Sequence, residues 1–203
     1  RILRSVYNKA VGEGIASQRA PFEKVYTGVD KTRKRAVDMA TIESLRKLDL
    51  RGSRSLAYAR DLFVFSFYMR GMAFVDMAYL RKSDVRDQTA QYIRRKTGQS
   101  LCIRLEPCIT EIIRRYARKT KNTPYVFPII AATDENEAYA QYQNALSYYN
   151  KLLKKLSKLL QADTHLSSYV SRHTWATTAR NCDIPLSVIS AGLGHRSQAT
   201  TQI

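Results

Sequence analysis

Cationic and proton-carrying side chains gather at four places far apart in the 203-residue sequence. They are Arg70 in FSFYMRGMAF, Lys96 in KTG, Arg172 and His173 in SRHTW, and His195 in LGHRS. Guanidinium and imidazole donors suit a group whose non-bridging oxygens gain negative charge, as in phosphodiester displacement, and they stabilise that charge without a metal. The departing oxygen also needs a proton. Lys96, at the tip of an expected hairpin, is placed to give one, although a lone KTG also reads as an ordinary polar turn. Arg70 is more telling, because an arginine in an apolar segment is costly unless an anion receives it. Its receiver is either a carboxylate such as Asp76 or a phosphate. His173, next to Trp175 inside a helix, reads as a packed histidine or a phosphate contact. His195, just after Gly194 at a helix end, is easier for a ligand to reach.

Other chemistries find little support. There is no HExxH, no glycine-rich phosphate loop and no carboxylate cluster at metal-ligand spacing, so two-metal catalysis is disfavoured and neither metal nor cofactor is expected. Lys and Arg number 34 against 17 Asp and Glu, a net charge of +17 that calls for a polyanionic partner. Cys102, Cys108 and Cys182 make no paired zinc-ligand pattern, and their odd number fits no disulfide framework. They read as reduced thiols of a cytosol. The apolar run 62–69 is far short of the ~20 residues a membrane span requires, so no membrane partner is expected.

With only 8 Gly and 5 Pro, the elements that must position these groups are mostly helical. A terminal helix over 1–11 leads into a polar, basic linker to about 33. Asp38 or Thr41 caps a helix through Leu48, a polar connection follows at 51–55, and a long buried helix is expected over 56–80. Two strands, 88–94 and 101–105, flank the turn residues Lys96, Thr97 and Gly98. Helical spacing resumes over 106–117 and, after KTKNTPYVFP, over 136–160. There Leu152, Leu153, Leu156, Leu159 and Leu160 line one face and Lys151, Lys154, Lys155 and Lys158 the other, a basic face that is either solvated or turned to phosphates. Helices over 169–181 and 185–192, the second with Pro185 in its first turn, complete a mainly α domain with a small antiparallel β-sheet.

Five segments in order resemble the tyrosine recombinases, or phage-type integrases, especially those of mobile elements in Bacteroides-type bacteria. YARDLFVFSFYMRGMAFVDMAYLRKSDV resembles the first arginine segment and YIRRKTGQSLCIRL the lysine hairpin. YVFP resembles the mid-domain landmark, LSSYVSRHTWAT the second arginine segment, and LGHRSQATTQI the final motif. The resemblance implies an integrase catalytic domain over 34–203, preceded at 1–33 by the last helix of a core-binding domain and a linker. It implies that Arg172 and His195 hold the scissile phosphate and that Lys96 protonates the departing 5′ oxygen. The mechanism it implies is attack by a tyrosine hydroxyl, leaving a 3′-phosphotyrosyl link whose stored bond energy would make ATP unnecessary. The implied partners are double-stranded DNA, as attachment sites and Holliday junctions, and further copies of the chain on that DNA, in a bacterial cytoplasm at the nucleoid.

Three positions depart from the family pattern. Aligning Asp76 with the family's acid puts Ala73 in the first arginine slot, and Arg70, one turn earlier on the expected helix, is the candidate replacement. Tyr169 stands where the family's HxxR has histidine, able to donate a hydrogen bond but a poor proton carrier near neutral pH. The nucleophilic tyrosine falls nine residues after His195, one position past Ile203, so these 203 residues alone are expected to bind DNA without cleaving it. A non-catalytic DNA-binding domain of the same fold is the alternative reading. A basic RNA-binding or membrane-surface protein would explain the charge but not the five ordered segments. Arg54, Arg81, Lys82, His173, Lys151 and Lys155 are the candidate DNA contacts, of the kind that position a protein without specifying sequence.

Overall fold

A computed structural model describes residues 2–25, 35–162 and 165–201. Part of the expected linker, 26–34, and the last two residues of the final motif, 202–203, lie outside the described residues. The chain divides into two compact units, Arg1–Lys34 and Arg35–Ile203. In the first, helix α1 (Ile2–Gly12) buries none of its residues. Its apolar stripe of Ile2, Leu3 and Val6 faces outward. The Tyr7 hydroxyl donates to the Ser17 carbonyl and accepts from the Arg19 N–H, which folds the following segment back on the helix.

The second unit opens with α2 (Met39–Lys47), whose Asp38 carboxylate accepts from the Thr41 N–H at 2.8 Å. That satisfies one of the amides left unpaired at a helix start. Ser53 caps α3 (Arg54–Tyr68) in the same way. The long helix expected over 56–80 does not form. It stops at Tyr68, turns through Arg70 (φ 55°) and Gly71 (φ 68°), and restarts as the short α4 (Phe74–Ala78). The cause is close packing: a Cβ on Gly71 would lie 2.5 Å from Arg172 Cα, so the two backbones touch there. Ser66 holds the turn from within, donating to the Met72 carbonyl at 2.7 Å and sharing a 2.7 Å hydrogen bond with Ser171. Apolar residues run through both helices and the turn, so periodicity could not reveal the break; only a glycine tolerates both the contact and the left-handed φ.

A three-stranded antiparallel sheet follows, in the order β1 (Val85–Arg86), β2 (Thr89–Ile93), β3 (Ser100–Arg104). The expected hairpin is its β2–β3 pair, with Tyr92 opposite Leu101 and Ile93 opposite Ser100. The two-residue β1 is too short to carry a sequence pattern. Ala90 and Tyr92 point inward, and Arg94, two residues further, continues that alternation and is buried. Helix α5 (Pro107–Ala117) and α6 (Glu135–Leu159) come next, α6 capped by Asp134. Leu152, Leu153 and Leu156 are buried, but Leu159 is 55% exposed because the helix ends there, and Leu160 is only partly buried. The four lysines of the opposite face are exposed.

Helices α7 (Val170–Asn181) and α8 (Leu186–Gly192) close the unit. Pro185 lies before the first turn of α8, in extended backbone, rather than inside that turn. Phe63, Phe65, Phe127, Ile42, Leu45 and Ile109 are among the fully buried side chains of the core. No described helix is long and apolar enough to cross a membrane. The architecture is mainly α with one small antiparallel sheet.

Candidate active site

Residues from four separate segments meet between α7, the end of α8 and the β2–β3 turn. Arg172, in the first turn of α7, is 6% exposed. Its Nη1 donates to the Gly71 carbonyl at 2.9 Å and its Nη2 donates to the Leu193 carbonyl. That Nη2 also lies 3.0 Å from His195 Nε2. A guanidinium only donates, so His195 Nε2 accepts and the ring proton sits on Nδ1, 2.8 Å from Thr201 Oγ1. Burial first, then the Arg172, Arg94 and Lys96 charges, lowers the His195 pKa to about 4. The imidazole is therefore neutral near pH 7. Burial, then the neighbouring Arg94, brings the Arg172 pKa down to about 10, which leaves its charge intact at neutral pH.

The hairpin tip is tied to the same turn. Arg94 Nη1 and the Thr97 hydroxyl both donate to the Gly194 carbonyl, at 2.9 and 3.1 Å, and Arg196 donates to the Thr97 carbonyl at 2.7 and 3.0 Å. These bonds join LGHRS to KTG across about a hundred residues of sequence and set Lys96 near His195. The exposed Lys96 ammonium makes no hydrogen bond among the described residues. Asp76, in α4, accepts from the Arg95 N–H at 2.9 Å, and its pKa is raised by burial against the opposing pull of that bond and of nearby arginines. Asp76 thus positions the end of β2 and is not the partner of Arg70.

Arg70 does reach this region, from a turn and not from a helix. Its Cδ would lie 3.7 Å from a Cβ on Gly192, beside the Trp175 ring, and no carboxylate pairs with it among the described residues. Tyr169 is the residue preceding α7, 43% exposed, with its ring 5.7 Å from that of His173. His173 is half-buried, its pKa lowered chiefly by burial, and it makes no bond to the Arg172–His195 pair. Lys82 is not free for a phosphate: its ammonium donates to the Thr120 and Thr123 carbonyls at 2.5 and 2.7 Å and closes the turn after α5. Arg81 is exposed beside it, its backbone bridged to Tyr125. Lys151 and Lys155 are exposed on α6, and no contact joins them to the cluster.

Sequence reasoning missed Arg94 and Thr201. The period-two alternation after Ala90 and Tyr92 was the available signal for Arg94; for Thr201 there was none, since its partner is set by the last turn of the fold. Among the described residues, no group of three His, Cys, Asp or Glu could hold a metal.

Residues 36–203 match the phage integrase family. No curated protein sequence matches the chain. Among solved structures, it is similar to a lambda integrase dimer bound to a COC′ core site, with a TM-score of 0.69 at 14% identity, over 98% of this chain and 68% of that one. It is similar to the Tn1549 transposon integrase in complex with circular intermediate DNA, with a TM-score of 0.65 at 15% identity, over 98% of this chain and 70% of that one. The XerH site-specific recombinase bound to difH substrate gives 0.62 at 15% identity, over 83% of this chain and 49% of that one. This chain thus spans from half to about two-thirds of the length of these structures. At such identities the likeness is one of fold, and the match over 36–203 carries the assignment: the chain belongs to the phage integrase family, the tyrosine recombinases.

Proposed function

We propose that the chain is the catalytic part of a site-specific recombinase that breaks and rejoins DNA strands for the integration of a mobile element. The observation that carries this is the convergence of Arg172, His195 and the Lys96 hairpin tip, from three distant segments, on one cationic site. Structural relatives bound to DNA, one of them a lambda integrase tetramer on a Holliday junction, support double-stranded DNA as substrate and self-association upon it. Residues 1–33 then serve as the end of a preceding DNA-clasping domain and the linker from it.

In this scheme a tyrosine hydroxyl, nine residues beyond His195 by the family spacing, attacks the scissile phosphorus. The tyrosine oxygen–phosphorus bond forms, the bond to the 5′ oxygen breaks, and Lys96 gives that oxygen its proton. Arg172 neutralises the charge on the non-bridging oxygens. An incoming phosphate oxygen competes with His195 Nε2 for Arg172. Once Arg172 turns to it, the imidazole can carry its proton on Nε2 and donate to the phosphate, because the Thr201 hydroxyl donates as readily as it accepts. Tyr169 and Arg70 stand at the rim, where each can donate to the DNA backbone.

The test uses the protein carried through its encoded C-terminal segment, incubated with a nicked duplex bearing the junction sequence that flanks its gene. A covalent protein–DNA band on a denaturing gel is expected. Binding without an adduct would overturn the recombinase reading in favour of a DNA-binding domain of the same fold.

A further inference from the structure

Resting on that reading, we infer that Arg94, at the end of β2, supplies the guanidinium that the first arginine segment lacks at Ala73, as a second direct contact to the scissile phosphate beside Arg172. Arg94 is 3% exposed. Nη1 is held by the Gly194 carbonyl at 2.9 Å, Nε is buried with no partner, and Nη2 makes no protein hydrogen bond among the described residues. The side chain is fixed at its root and along its length. The Arg94 N–H donates to the Gln99 carbonyl at 2.8 Å, and Cδ would sit 3.1 Å from a Cβ on Gly194, the residue before His195.

Its location fits the empty slot. Ala73 immediately precedes α4, and Asp76 lies in the first turn of that helix. Asp76 carries the end of β2 through the Arg95 N–H at 2.9 Å, so Arg94 enters the site from the strand next to that turn. Arg94 and Arg172 are both buried, yet among the described residues neither has a carboxylate within ion-pair distance. The buried Asp76 carboxylate is near enough to act on both guanidinia, so two desolvated cations share one anion, and a phosphate would balance the second. Arg70 is less well placed. Arg94 Cδ packs at Gly194, the residue before His195, whereas Arg70 Cδ packs at Gly192 beside the Trp175 ring.

The experiment measures adduct formation by the C-terminally complete protein on two nicked duplexes, one with a normal scissile phosphate and one with a methylphosphonate there. The methyl group replaces a charged oxygen, so a residue that neutralises that charge becomes dispensable. Arg94→Ala is expected to slow cleavage of the phosphate substrate about 100-fold or more, the size typical of one lost transition-state donor, and to recover at least about tenfold of that on methylphosphonate. Arg70→Ala is expected to lose activity equally on both. Relief by methylphosphonate for Arg70→Ala but not for Arg94→Ala overturns the inference, as does unaltered cleavage by Arg94→Ala. If Arg94→Ala does not fold, as judged by circular dichroism, Arg94→Lys is used, and its phosphate-specific loss or absence of loss decides in the same way. An active unaltered protein with an indifferent Arg94 variant sinks only this inference; an inactive unaltered protein sinks the recombinase reading and this inference with it.

Discussion

His195 has the most distinctive setting of any single residue. With a pKa near 4 in the folded chain against about 6.5 in the unfolded one, it binds its proton less readily when folded. Stability linked to it is therefore fully present above about pH 6.5 and falls as pH drops toward 4. We expect the His195 ring signals in a proton NMR titration to move near pH 4, and His195→Gln to flatten the pH dependence of urea stability between those limits. An ordinary titration near 6.5 would contradict the geometry of the Arg172 contact. Thr201, 7% exposed, is the acceptor for the Nδ1 proton. Thr201→Val removes that acceptor, which should cost about 1–3 kcal/mol and shift the imidazole nitrogen resonances, while Thr201→Ser should restore them.

The element that decides the site is the break between α3 and α4. Gly71 lets α3 end against α7, and the freed Gly71 carbonyl then accepts from Arg172. Gly71→Ala would bring a Cβ to 2.5 Å from Arg172 Cα at a φ of 68°. We expect a loss of about 3 kcal/mol or more in chemical denaturation, since overpacking and left-handed strain add. The hairpin is the second such element. Arg196 reaches the Thr97 carbonyl from an exposed position, so its removal should leave the core intact while loosening the tip. Arg196→Ala is expected to speed amide exchange at residues 96–98 and to slow adduct formation more than it weakens DNA binding. Equal exchange in both proteins would show that the tip needs no such anchor. Expecting a helix over 56–80 erred here because apolar burial continues through the turn, and burial does not distinguish a buried helix from a buried turn.

At the scale of the whole molecule, the net charge of +17 predicts, on the recombinase reading, a DNA affinity that is steeply salt-dependent. Neutralising about six phosphates gives a log–log slope near −5 for duplex DNA. A phosphate-contacting lysine removed should reduce that slope by about 1. We expect such a reduction for Lys151→Ala or Lys155→Ala if α6 lies along the duplex, and an unchanged slope for both if that face is merely solvated. Lys82→Ala should leave the slope alone and lower thermal stability instead, because its ammonium closes the turn after α5. Filter binding from low to moderate salt reads all three.

The mainly helical class, the hairpin, the Asp38 cap and the segments bearing Arg172, Lys96 and His195 were all legible in the sequence, because each rests on local spacing and on residue types within a few positions. The resemblance to the family, not a local rule, put Ala73 in the first arginine slot. What fills the space around that slot is not local. Arg94 directly follows β2 beside the equally basic but exposed Arg95, and only the continued alternation of the strand turns it inward beside Gly194. The redirection of Lys82 to two carbonyls, the approach of Gly71 to Arg172 and the hold of Thr201 on His195 likewise depend on distances between elements. Those distances are set by packing between separate segments of the chain, which no pattern along it encodes.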